Sequence, residues 1–261
     1  MLMTTHSARQ IAHACALLFA LSGTLNLAAC GDKAADAAKA TAAAPTTPNL
    51  AQATSPQALR DTQAAAAREA LPKADASTPD SSYVTLDSGN QLMYAYLALT
   101  GMPPDYPQIA SNISKDYARA TDEFRKHDLL TALTPRIDAD IAAAKSRRYF
   151  KMTVPNPISK YNFEQKGFPL DNSLWEAGAY RYFFDNGEYK LGFSNGDAFH
   201  YLKVDDEASA RAIEAQRARF DAVKLTVYGY YQSADTAQKI VTAQIVKVAL
   251  ADKQGNVLAA Q

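Results

Sequence analysis

Between Gly31 and Ser82 the chain has no aromatic residue; Ala dominates, and Pro45, Pro48, Pro56, Pro72 and Pro79 punctuate the stretch. So few large apolar side chains cannot bury enough surface to offset the entropy of ordering the segment. The hydrophobic core therefore has to come from the residues after Ser82. Residues 83–261, about 180 in all, suit one globular domain with a core of its own. Inside the aromatic-poor stretch one local helix is expected. Ser55 and Pro56 form an N-cap and N1 pair, and Gln57 to Leu71 is rich in Ala, Arg and Glu before Pro72 stops it. Its apolar face is mostly Ala, which reads as a spacer.

The start of the chain is an apolar run from Ile11 to Leu27, preceded by Arg9 and interrupted by Ser22, Gly23, Thr24 and Asn26. That length and composition suit a signal peptide. A retained transmembrane anchor is the second reading, since the run approaches the roughly 20 residues a spanning helix needs. Ordinary secretory cleavage after Ala29, leaving a free thiol, is the third. Leu27-Ala28-Ala29-Cys30, followed by Gly31-Asp32, resembles the lipobox of bacterial lipoproteins. The resemblance implies a diacylglyceryl group on the Cys30 sulfur, cleavage just before it and acylation of the new amine, palmitate being the usual acyl chain. Residues 1–29 are then the lipoprotein signal peptide, 30–82 the lipidated Cys with its linker, and 83–261 the folded domain. Each buried methylene contributes about 0.8 kcal/mol and two or more chains anchor stably, so the domain needs no membrane-seeking surface of its own. Gly31, rather than Asp, follows the Cys and departs from the enterobacterial retention pattern. This implies the periplasmic face of the outer membrane over the inner one. A flexible coil of about fifty residues reaches roughly 40 Å. Cys15 is the one other cysteine, so a lipidated, processed chain has no free thiol.

The first part of the domain reads as helical. Asp87 or Ser88 caps a helix over Gly89–Thr100 with Gly101 at its stop, and Leu92, Met93, Tyr96, Leu97 and Leu99 make it apolar on most faces. Asp105 before Pro107 starts another, with Ile109, Ile113, Tyr117, Ala120 and Phe124 as one stripe. Pro135 is expected to separate a short turn at Leu129–Leu133 from a fresh helix at Arg136–Ser146 capped by Thr134, with Ile137, Ile141 and Ala144 inward. Asp122, Glu123, Asp138 and Asp140 fall on its solvated face.

The second part changes to a strand period. Tyr149–Val154 ends at Pro155; Ala179–Phe184, Glu188–Phe193 and Ala198–Val204 read as a meander joined through Asp185-Asn186-Gly187 and Asn195-Gly196. A helix from Asp205 or Asp206 to about Arg219 comes next, then strands around Val223–Val227 and Ile240–Leu250 and a short one at Asn256–Leu258. The fold class is α+β, with N-terminal helices packed on a C-terminal antiparallel sheet. A small barrel of the oligonucleotide/oligosaccharide-binding type is one closure, and an open sheet is the other.

Chemistry-bearing motifs are sparse. Only Arg9 among 27 Lys and Arg precedes Cys30, and all 27 acids follow it, so the chain from Cys30 on carries a net charge of −1. This gives no reason to expect nucleic acid as a partner. His127 and His200 are far apart, no paired metal-ligand spacing occurs, and no phosphate-binding glycine loop or nucleophile motif appears in 83–261. No catalytic residue, metal or cofactor is expected. Two aromatic groups stand out: Tyr161, Phe163, Phe168 and Trp175 in the long connection after the first strand, and Tyr228-Gly229-Tyr230-Tyr231. The first is a loop pinned on the core by Phe163, Phe168 and Trp175, or a ring platform for sugar or a partner protein; the four rings are the candidate binding residues. In the second, Gly229 reads as a bulge or a close approach. The leading function is a non-enzymatic, membrane-anchored envelope module whose partner is an envelope protein or a cell-wall polymer. The alternative is a cell-wall glycan hydrolase using Asp171, Glu176 and Asp197, which needs two carboxylates about 5 to 10 Å apart in one cleft. Thr121-Asp122-Glu123-Phe124-Arg125, Tyr161-Asn162-Phe163 and Gly167-Phe168-Pro169 together resemble an uncharacterised family of exported proteobacterial proteins. That resemblance implies export and carries over no activity and no functional residue.

Overall fold

The computed structural model describes residues 55–261, except 156, 171–174, 177 and 221–222. Residues 1–54, which include the segment read as a signal peptide, Cys30 with the lipobox-like residues before it and most of the expected linker, lie outside the described residues, as does Asp171. The Ala-rich segment forms α1, Pro56–Glu69, with Pro at its start and the Ser55 hydroxyl accepting from the Ala58 amide at 3.1 Å. None of its residues is buried, as a face of Ala dictates. Among the described residues no helix is long and apolar enough to cross a membrane.

Four helices come next. α2, Gly89–Thr100, begins at Ser88 and ends at Gly101, whose φ of 66° is the left-handed stop that glycine adopts without strain. Leu92 through Leu97 are all buried in it, as its near-continuous apolar run requires. α3, Tyr106–Ile113, is capped by Asp105. The expected single stripe then breaks. Ser114 turns extended and caps a short α4, Lys115–Arg119, and Phe124 ends up 84% exposed instead of inward. α5 is one helix, Glu123–Ser146, capped by Asp122 and running through Pro135. Thr134 is therefore not a cap. Its hydroxyl donates to the Leu130 carbonyl at 2.9 Å, within the turn that Pro135 leaves one amide short. Burying Ile137 completely helps to hold the helix together across the proline.

The main sheet has the order β1-β2-β7-β8-β5-β4, with β9 also on β8. These are β1, Val84–Thr85; β2, Tyr149–Pro155; β4, Arg181–Tyr182; β5, Lys190–Phe193; β7, Lys224–Asp235; β8, Ile240–Ala251; and β9, Val257–Ala260. The α+β class holds, but the sheet is mixed rather than antiparallel, because β1 pairs parallel with β2 and β5 parallel with β8. Its described pairings end at β1 and β4, which do not pair with each other, so they do not close a barrel. The meander is only half present. β4 and β5 pair across the Asp185 turn, but the strand after Asn195-Gly196 is not their neighbour. Gly196–Phe199 is a 3₁₀ turn, and β6, Tyr201–Lys203, pairs instead with β3, Gly167–Pro169, in a separate small sheet. The Asn195 side chain explains the switch. Its amide donates to the Ile245 carbonyl at 2.9 Å and its oxygen accepts from the Ile245 amide at 2.8 Å, so it extends the β5·β8 ladder as a peptide group would.

β7 and β8 dominate the sheet, and two bulges shape them. Tyr228 faces Lys247 while Gly229 faces Ile245, which leaves Val246 as the extra residue. The inward set on β8 accordingly switches from Val241, Ala243 and Ile245 to Val248 and Leu250. A Cβ on Gly229 would run into the Phe150 ring, so this glycine serves both a bulge and a close approach. α6, Glu207–Ala218, capped by Asp206, buries Ala210 and Ile213. Sheet, α2 and α5 enclose the core, with α2 packed on β5, β7 and β8 and α5 packed on α2.

Candidate functional site

α5 carries Arg136, Asp140, Ala143, Ala144 and Arg147 at steps of four, three, one and three residues, which places them along one helical face. The middle of that stripe is two alanines. Across from it, α2 presents Tyr94 and another alanine, Ala95. Three methyl-sized side chains where large ones would close the gap leave a cavity of about 440 Å³. This is within the range of small-molecule sites, about 300–1,000 Å³. Its floor is apolar: Leu86, Ile113 and the stacked pair Phe150 and Tyr231, whose ring centroids are 4.4 Å apart. Burial pushes the Tyr231 phenol well above its ordinary range, so it stays neutral. A smaller hollow of about 260 Å³ shares Ala95, Ala144 and Tyr231 and is bordered by Leu99 and Arg148.

The rim is polar and uneven. At one end Arg136 and Asp140 form a loose pair at 3.9 Å, the Arg136 side chain largely exposed and that of Asp140 half-buried. Tyr94 stands beside them. Burial first, then the negative charge of Asp140, push its phenol up to about 12, so it remains a hydroxyl donor across the physiological range. At the other end Arg147 closes α5, and its exposed guanidinium makes no ion pair or hydrogen bond with the described residues. Asn90 and Gln91, on the first turn of α2, complete the wall, but their side-chain oxygens are engaged. The Asn90 oxygen accepts from Asn186 at 3.1 Å and the Gln91 oxygen from the Asp87 amide at 3.0 Å.

The free amides at the start of α2 are taken as well. Asp185 accepts from the Gly89 amide at 2.8 Å, the Ser88 hydroxyl at 2.6 Å and the Asn90 amide at 3.3 Å. Burial alone would raise its pKa, but these donors together outweigh it and hold the carboxyl below its usual range. The Asp185-Asn186-Gly187 turn thus serves as an acidic cap for a helix almost a hundred residues earlier in the chain.

The aromatic residues singled out from sequence divide. Phe168 and Trp175 are 0% and 1% exposed, so they are core and offer no ring face to a ligand. Trp175 stacks on Phe193. Phe163 is the reverse: expected to pin the loop, it is 81% exposed. Tyr161 is half-buried and its hydroxyl donates to the Val204 carbonyl at 3.0 Å. Tyr161 and Phe163 share a cleft of about 370 Å³ against Glu207, Ala210, Arg211 and Glu214 of α6. The candidate acids do not form a cleft among the described residues: Glu176 and Asp197 are both exposed and line none of these cavities. Asp197 lies 3.8 Å from His200, also exposed. No group of three or more metal-ligating side chains occurs among the described residues.

The α5 cavity was missed by motif reading because its residues come from six separate elements. One signal was present: Ala143-Ala144 flanked at helical spacing by Arg136 and Arg147. Comparisons with protein-family models, with curated proteins and with solved structures return no match for this chain.

Proposed function

We propose that this chain is a lipid-anchored envelope protein whose folded part is a non-enzymatic binding module, and that its ligand site is the cavity between α2 and α5. The anchor reading rests on Leu27-Ala28-Ala29-Cys30 and the aromatic-free linker. Gly31 favours the outer membrane, with the domain on the periplasmic side. The observation that carries the binding reading is the cavity itself: an apolar floor with Arg147, unpaired among the described residues, at its mouth, and no carboxylate pair or nucleophile–base pair along its described wall. Partners of this kind of module are an envelope protein, a cell-wall polymer or a small molecule. The cavity favours the last, since a polymer needs an open groove or platform.

Two measurements test the two halves. Mass spectrometry of the N-terminal peptide is expected to show a diacylglyceryl group on Cys30, and Cys30→Ser to move the protein from the membrane to the soluble envelope fraction. An unmodified Cys30 removes the anchor. Native mass spectrometry of protein isolated from its own envelope is expected to show a small bound mass that Ala143→Phe, which fills the cavity, abolishes. The same mass retained by that variant places the ligand elsewhere.

A further inference from the structure

The two ends of the α5 stripe differ in charge, and the difference selects a ligand class. Arg136 already has Asp140 within 3.9 Å, so a second anion arriving there would meet the carboxylate. Arg147 has no such neighbour among the described residues. Arg136 and Arg147 are about 16 Å apart along the helix, and Asp140 and Arg147 about 10 Å, at 1.5 Å per residue. The space between is walled by Ala95, Ala143 and Ala144 over the Phe150 and Tyr231 rings. The amides opening α2 are closed to an anion because they hold Asp185. The negative end of the α5 dipole is offset by Lys145 in its last turn together with Arg147 at its cap.

We propose that the cavity binds a small organic monoanion with an apolar body about two helical turns long, its carboxylate or phosphate on Arg147 and its body on the alanine stripe. This rests on the reading of the cavity as the ligand site. Tyr94 and Asp140 then meet the far end of the ligand, one donating a hydroxyl and the other accepting. A hydrogen-bonding group at that end strengthens binding, and a second anionic group there weakens it.

Octanoate spans about the distance from Asp140 to Arg147, and octanamide is its neutral counterpart. Calorimetric titration of the folded protein is expected to show octanoate binding more tightly than octanamide, with the gap narrowing as salt rises. Arg147→Met, at an exposed side chain that the fold does not use, is expected to weaken octanoate about tenfold and to leave octanamide within about twofold, the size of one charge-assisted hydrogen bond. Arg136→Met is expected to weaken octanoate less than Arg147→Met does. Equal affinity for both probes, or an Arg147→Met variant that binds octanoate as well as the parent, overturns the monoanion while the cavity remains a ligand site. Binding of neither probe also overturns it; the ligand-site reading falls with it only if Ala143→Phe leaves the native bound mass unchanged.

Discussion

The two faces of the main sheet are covered by different means. On one, α2 and α5 bury Phe150, Val227, Tyr231, Val241 and Ile245 under apolar side chains. On the other, among the described residues, no helix packs over Tyr149, Tyr228 and Tyr230. There the chain between α1 and β1 runs across the strands and is held by polar contacts. The Pro72 carbonyl accepts from Gln232 at 2.8 Å, the Ala74 amide donates to Gln244 at 2.9 Å, and the Asp75 amide donates to the Tyr149 hydroxyl at 2.8 Å. Asp80 pairs with Lys247 and accepts from Tyr228, and Tyr83 packs edge-on against Tyr149 and Tyr228. The ordered contacts with the sheet thus begin before Tyr83, the expected start of the domain. The helix face gains from area removed from water, which acts without direction. The strap gains from individual bonds, each made in exchange for a bond to water and weakened by solvent screening where exposed.

That contrast orders the effects of substitution. Phe150→Ala removes a ring that covers Gly229 and stacks on Tyr231, and is expected to cost about 3–5 kcal/mol in urea unfolding. A loss no larger than that of a strap variant would erase the distinction. Gly229→Ala pushes a methyl group into the same ring and is expected to cost about 1–3 kcal/mol. Combining it with Phe150→Leu should return part of the loss, which a double-mutant cycle would detect. Asp185→Ala uncaps α2 and is expected to cost about 1 kcal/mol. Because the folded Asp185 has a lowered pKa, its contribution is present above the unfolded value of about 3.9 and disappears as pH falls through the folded value. Asp185→Asn should therefore flatten the acid limb of the stability profile while leaving the neutral-to-basic limb in place. Asp80→Ala, which removes one exposed anchor of the strap, is expected to shift the unfolding midpoint least of the four, and the shift should vanish in about 1 M salt as screening becomes complete. A large, salt-insensitive shift would mean that the strap is part of the core.

Local signals carried much of the fold. Ser88 and Gly101 bracket α2 within one turn because both act on the backbone beside them. Ser55 with Pro56, Asp105 and Asp206 start their helices for the same reason. Period-two patterning located β2, β7 and β8, and Gly229 marked its own bulge. The errors came where a distant partner outbid the local preference. Asn195-Gly196 has the chemistry of a tight turn, but the Ile245 backbone captured the Asn side chain. Pro135 has the chemistry of a stop, but Ile137 and its neighbours hold α5 together through it. Of the four aromatic candidates, composition alone could not separate Phe168 and Trp175, taken into the core, from Phe163, left outside it.

The sequence by itself determined the contrast between an aromatic-free stretch at 31–82 and the aromatic-rich residues after it, the α+β class and most element starts. Each of these depends on composition or on residues within a few positions of one another. Which strand lies beside which, which rings face water, and the meeting of Ala95, Ala143 and Ala144 to leave a cavity between Tyr94 and Arg147 were decided by the tertiary structure alone. They depend on pairings between residues far apart in the chain, and no local energy encodes those.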